Sequence, residues 1–185
     1  MMGKVHNFIF VFSLLLGLAT VQGAPTLEVG GVQYTLKSVD GSTYRFAPSG
    51  GSDSELVELV YQEDAKTDQE LQAYTDTYRN DIKNGGQVMK ALKAKSETEE
   101  AIGFLVVGFQ PVGDVTLVRM IRTMKAGNDG SAALIYKHVF TGENQQQDMI
   151  AWFKAHGRNM EKSLLSLKAV PPKAGLAKAA ESLSQ

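Results

Sequence analysis

The chain lacks cysteine and holds a single tryptophan among 185 residues. Without thiols there is no disulfide, no cysteine–zinc site, no thiol catalysis and no lipid anchor on an N-terminal cysteine. Histidine is scarce: only His6, His138 and His156 occur. Neither sign of charge dominates, with 19 basic against 20 acidic residues. That balance argues against a nucleic-acid partner, whose binding is driven by phosphate charge. Catalytic signatures are missing as well. There is no Gly-x-Ser-x-Gly, no His-Glu-x-x-His, no EF-hand loop and no dinucleotide-binding fingerprint. The Gly50-Gly51 pair lacks the Gly-Lys-Ser/Thr ending of a phosphate-binding loop. No cofactor is implied.

Long apolar runs are also missing, and the one short run has a particular setting. Lys4 precedes the apolar stretch Phe8–Leu18, and Val21-Gln22-Gly23 supplies small residues after it. This order is that of a secretory signal peptide over residues 1–23, too short for an ordinary membrane-spanning helix. Cleavage after Gly23 is favoured over cleavage after Ala24, which would set Pro25 beside the scissile bond. The alternative is a retained anchor. Signal removal would leave an exported chain, periplasmic or secreted, with no stable membrane insertion. Export without disulfides fits a bacterial envelope better than a small animal secreted module.

Residues 24–170 are enough for one domain with its own core. Its centre is the stretch Ala101–Phe140, read as three strands: Ile102–Phe109, Val115–Lys125 and Ala132–Phe140. The linkers Gln110–Asp114 and Ala126–Ser131 are short and rich in turn residues, so the strands form an antiparallel meander. Its first strand is apolar on both faces and requires cover on both sides. Three short strands precede it at Thr26–Val29, Val32–Val39 and Ser42–Ala47, then a fourth at Leu56–Gln62. Gln87–Lys95 reads as a lysine-bearing strand at or near an edge.

Two helices supply the cover. Leu71, Tyr74, Thr75, Tyr78 and Ile82 form one helical stripe. Asn84-Gly85-Gly86 should stop that helix through left-handed C-terminal geometry. The last helix runs from Asn144 to about Leu167, with Met149, Trp152, Phe153, His156, Met160 and Leu164 along one side. Asn144 and Gln147 are spaced as a capping box. Gly157 is its weak point. Residues 171–185, after Pro171-Pro172, read as a flexible tail. The expected fold class is thus α+β: an antiparallel β-sheet with a meander at its centre, covered by two helices in an α/β/α sandwich.

This succession of Leu56–Gln62, Leu71–Ile82, Ala101–Phe140 and Asn144–Leu167 resembles the PsbP-like fold, named for the extrinsic photosystem II protein. The resemblance lies in element order and carries no functional residue across. It implies a domain used for binding or assembly more often than for catalysis. Two functional classes follow. The first is an exported non-enzymatic module binding an unknown protein or small molecule. The second is an envelope enzyme whose site has no familiar signature. A soft-metal site from Met120, Met124 and His138, which share one strand parity, competes with a core that uses methionine to fill gaps. Tyr74, Tyr78 and Trp152 at helical spacing read as core before ligand-stacking groups.

One pair of residues is a candidate binding site. If the meander loops are symmetric about Val112 and Asn128, Arg119 lies opposite Leu105 on one side and Lys137 on the other. Leu117, Ile121, Ile135, Val107 and Phe109 would share that face. Two facing cations on an apolar face need compensation. A carboxylate such as Glu58 or Asp148 would neutralise them, or the side chains would reach to the rim. Otherwise Arg119 and Lys137 would frame a pocket for an anionic ligand or acidic partner, with Gly103 leaving room for it.

Overall fold

A computed structural model describes residues 25–51, 53–94, 103–128 and 130–167. The expected signal peptide (1–23) and the expected tail (171–185) lie outside the described residues. The strands are β1 (Thr26–Val29), β2 (Val32–Asp40), β3 (Thr43–Pro48), β4 (Glu55–Gln62), β5 (Gln87–Ala94), β6 (Gly103–Val112), β7 (Val115–Ala126) and β8 (Gly130–Thr141). They form one antiparallel sheet in the order β1-β2-β3-β4-β8-β7-β6-β5. The meander β6-β7-β8 therefore joins the N-terminal hairpins through the β4–β8 pair, and β5 is an edge.

Helix α1 (Asp68–Gly85) lies on one face of the sheet. Its Tyr74, Tyr78 and Ile82 pack with Val106, Ile121, Ala133 and Ile135. On the other face lies a long C-terminal helix, made of α2 (Gln145–Trp152), a π-helical turn (Phe153–Gly157) and α3 (Arg158–Ser166). Met149, Met160 and Leu164 of this helix pack with Leu36, Leu105, Val107, Val118, Met120 and Tyr136. This alternation along every strand of the meander is why its sequence is apolar at consecutive positions.

Both edges of the sheet reach the same helix. At the β1–β2 turn, Gly30 N–H donates to Ser163 Oγ at 2.8 Å, and Asn159 Nδ2 donates to Gly30 O at 3.0 Å. From the opposite edge, Lys90 Nζ on β5 meets Glu161 Oε1 at 2.6 Å. The sheet thus curls around α3, which makes this face concave. Gly30 has φ +64°, and a Cβ there would stand 2.1 Å from Met160 Sδ, so both turn geometry and helix contact require glycine.

Several local expectations change. The strand β6 runs through Pro111, which pairs with Thr116. Proline is tolerated because β5 covers β6 only as far as the Gln87–Phe109 pair, leaving an edge beyond it. The β6–β7 turn is therefore the two-residue Gly113-Asp114, with Val112 opposite Val115. Helix α1 does not end in left-handed geometry. Gly86 is extended (φ −168°), and its Cβ would lie 2.0 Å from Phe109 O, so close backbone approach is what calls for glycine. Asn144 makes no side-chain cap. The reciprocal capping box belongs instead to Thr67 and Glu70 at the start of α1. In the last helix the π turn rotates the stripe, leaving His156 exposed and setting Phe153 Cδ1 3.1 Å from where a Cβ on Gly157 would be.

Candidate functional site

The structure places polar side chains in three constellations. The first contains the residues read from the sequence. Arg119 on β7 and Lys137 on β8 are directly opposite, as the loop about Asn128 requires. The partner on β6 is Gly108, however, and not Leu105. The shift is an odd number of residues, so it turns Leu105, Val107 and Phe109 to the other face. Arg119 and Lys137 instead share the α1 face with Val106, Ile121 and Ile135. Each cation has its own carboxylate. Arg119 Nη2 lies 2.7 Å from Asp81 Oδ2 at the end of α1 and also donates to Gln110 Oε1. Lys137 Nζ donates to Glu58 Oε2 at 2.7 Å, and Arg45 Nε lies 3.3 Å from Glu58 Oε1. The pair is a neutralised network at the rim of α1, and Asp148 takes no part in these ion pairs.

The second constellation lies on the concave face. Glu55 on β4 is opposite His138 on β8. His138 Nδ1 is 3.2 Å from Glu55 Oε1 and 3.0 Å from the Tyr136 hydroxyl. Tyr34 donates its hydroxyl to Glu55 Oε2 at 2.6 Å. The His138 hydrogen bond, with that from Tyr34, holds the Glu55 carboxyl below the usual carboxylate range against the opposing effect of burial. Burial, reinforced by the neighbouring Glu55, pushes both tyrosine hydroxyls far above their ordinary range, so they remain donors. Trp152 closes the network, stacked on Tyr136 at 5.9 Å between ring centroids and tilted against His138 at 5.1 Å. The result is a satisfied acid–base cluster under an aromatic cover, the kind of polar network that rigidifies a core. The methionines of the soft-metal reading, Met120 and Met124, are buried on this face among core apolar groups, while His138 Nδ1 is already engaged.

The third constellation is a single residue that the sequence reading passed over. Arg122 on β7 is 1 % exposed, as buried as the aliphatic core. Its neighbours in register are Leu105 on β6 and Leu134 on β8. The row continues outward to Leu92 on β5 and Leu59 on β4. An arginine therefore sits at the middle of a row of four leucines. Its Nη1 donates to Thr123 O at 3.2 Å, and its Nε has no partner. Among the described residues no carboxylate pairs with it. Of the described carboxylates on its side of the sheet, Glu55 is held by Tyr34 and His138 and Glu161 by Lys90. Gly103 makes the space: a Cβ there would lie 2.2 Å from Arg122 Nη1. Desolvation pulls the guanidinium down to about 10, which leaves it charged at neutral pH. Gly103 was the informative residue in the sequence, but the register error attached it to Arg119.

A shallow cleft of about 140 Å³ lies between α1 and the β5–β6 edge, lined in part by Gln72, Asp76, Arg79, Lys93 and Phe104. Its polar groups are largely paired. Asp76 takes Arg79 at 3.3 Å and Gln72 at 3.1 Å, and Thr75 shares its hydroxyl with Thr123 at 2.6 Å. No helix among the described residues is long and apolar enough to cross a membrane.

No family model matches the sequence, and no curated protein matches it. Two solved structures are partly similar in shape. PA94 from Pseudomonas aeruginosa, a protein of unknown function, shares 12% identity at a TM-score of 0.40, over 72% of this chain and 93% of that one. Human STARD10 shares 9% identity at a TM-score of 0.30, over 71% of this chain and 73% of that one.

Proposed function

We propose that the chain is an exported, non-enzymatic binding or assembly module, and that Arg122 marks its ligand site. The observation that carries this reading is the missing counter-charge. A buried arginine with one weak hydrogen bond retains several kcal/mol of desolvation penalty that an apolar side chain of similar size would avoid. A bound anion supplies what the described residues do not. Gly103 leaves the place of a Cβ to the guanidinium, which lies there beside Thr123 O.

Export rests on the order of charge, apolar run and small residues in 1–23, and N-terminal sequencing of the secreted product is expected to begin at Ala24. An intact Met1 on membrane-bound protein would contradict it. The element order that resembles the PsbP-like fold points to binding or assembly as well. A second reading, an envelope enzyme, is favoured by one observation: Glu55, His138 and two tyrosines converge beside Trp152, a constellation able to move a proton. A fragment screen read through backbone amide shifts separates the two. The binding reading expects hits that perturb Gly103, Leu105 and Leu134. Hits that cluster at Tyr34, His138 and Trp152, with Arg122's neighbours silent, would favour the enzyme.

A further inference from the structure

The two edges of the sheet differ in kind. β1 has four residues, and the turn after it is tied to Asn159 and Ser163 of α3. A short, tied edge is a common protection against strand pairing. β5 has eight residues, and among the described residues no strand pairs with its outer side. Its register shift lies between Val88 and Lys90, so Lys90–Ala94 pairs regularly with β6. Along that stretch, alternate residues turn their backbone N–H and C=O outward. Such a row of donors and acceptors is complementary to another extended chain, and the pockets beside the edge then select its side chains. The cleft of about 140 Å³ under α1 is such a pocket. Val88, Ala91 and Lys93 share the α1 side of β5, opposite Gly108, Val106 and Phe104. Ala91 is exposed, has the smallest side chain of that row and lines the cleft. Phe104 and Val106 give the cleft a buried apolar floor.

Charge narrows the occupant. β5 carries Lys90 and Lys93 and no acidic residue. Their side chains are 46 % and 47 % exposed. A second copy paired through β5 would set four lysines along one seam, and like charges on neighbouring strands repel. An acidic strand would set a carboxylate against them instead. Lys93 meets Asp68 at 3.6 Å, and Asp68 also takes Lys125 at 3.3 Å. Exposed pairs of this kind are weak, so Lys93 can turn to an incoming carboxylate at little cost. We propose that the outer side of β5 takes up an extended acidic segment of a partner protein as an added antiparallel strand. An apolar side chain of that segment enters the cleft beside Ala91, and a carboxylate two residues before it faces Lys93. This surface is separate from Arg122, which lies on β7 with β6 between it and the edge.

The test uses the chain from Ala24 onward, which contains every described element, labelled with nitrogen-15. The probe is a capped eight-residue threonine peptide with one leucine and, two positions before it, one glutamate. Titration should shift the backbone amides of Lys90–Ala94 and slow hydrogen exchange at alternate ones. Two versions of the peptide, N-methylated on alternate sets of backbone nitrogens, should differ. One set faces β5 and its methylation abolishes binding; the other faces away and is tolerated. Lysine in place of the glutamate should weaken binding about two- to fivefold, and Lys93→Glu should reverse that order. Ala91→Phe, which fills the cleft, should remove the preference for leucine over alanine in the peptide. Equal binding by the two methylated versions would overturn the added strand. Equal binding by the glutamate and lysine peptides would overturn the acidic partner. Shifts confined to residues away from β5, or β5 amides all protected from exchange before any peptide is added, would overturn the open edge. A dimer of the free chain joined through the same amides would make a second copy the occupant and overturn the acidic segment. No shift at millimolar peptide would overturn the docking site.

Discussion

Replacing Trp152 by alanine probes the junction between the last helix and the concave face. Trp152 is partly buried and lies within aromatic contact of Tyr136, His138, Phe140, Phe153 and His156. A tryptophan buries on the order of 150–250 Å². Taking about 150 Å² for a ring with one open side, at ~25 cal/mol per Å², gives about 4 kcal/mol as an upper value. The rim position allows water to enter part of the space left behind, which reduces the cavity contribution. The expected loss is about 2–4 kcal/mol. It has a second component, because the cover over Glu55, His138 and Tyr136 goes with the indole. Equilibrium urea unfolding followed by far-ultraviolet circular dichroism reads the effect without needing the lost fluorophore. A Trp152→Ala midpoint equal to that of the parent would refute the packing of α2 against β8.

Three further outcomes follow from the same geometry. Gly30→Ala should cost more than Gly31→Ala, although both turn residues have positive φ, because only Gly30 faces Met160; equal losses in urea unfolding would remove the helix contact from the explanation. The folded Glu55 carboxyl lies below its unfolded value, so its stabilisation is present above about pH 4.3 and is lost as pH falls through that value toward the folded one. Glu55→Gln should therefore flatten the acid limb of the stability profile, and an unchanged limb in urea titrations across that range would contradict the network. Arg119→Ala should cost on the order of 1–2 kcal/mol by freeing Asp81 and Gln110 from a largely buried guanidinium; a variant that keeps full stability while losing a binding partner would return Arg119 and Lys137 to the role of a ligand site.

The fold class was legible because its signals are periodic and local. Alternation in β6 to β8, glycine turns at Gly30-Gly31, and the Leu71–Ile82 stripe each fix an element without knowledge of the rest. The register was harder to read. It turned on whether Pro111 belonged to a strand or a loop, and that depends on where β5 stops, which is a tertiary fact. A three-residue error there was enough to put the wrong residues beside Arg119. Arg122 was passed over, since nothing in the sequence around it marks it as buried. The charge pair of Arg119 and Lys137 was visible as a problem, and Glu58 was visible as one answer to it. Asp81 was not, since no local pattern shows that the last turn of α1 reaches the middle of β7. His138 was seen only as sharing a strand parity with Met120 and Met124; its partners Tyr34 and Glu55 come from strands far away in sequence.

The most direct measurement compares the urea unfolding of Arg122→Met with that of the parent, without ligand, at neutral pH and fixed salt. An arginine buried without a counter-charge makes the variant more stable, by about 1–4 kcal/mol, a midpoint increase on the order of 1 M urea. A loss of about 3–5 kcal/mol, the signature of breaking a buried ion pair, would show that the fold already supplies the partner and would contradict a binding site at Arg122.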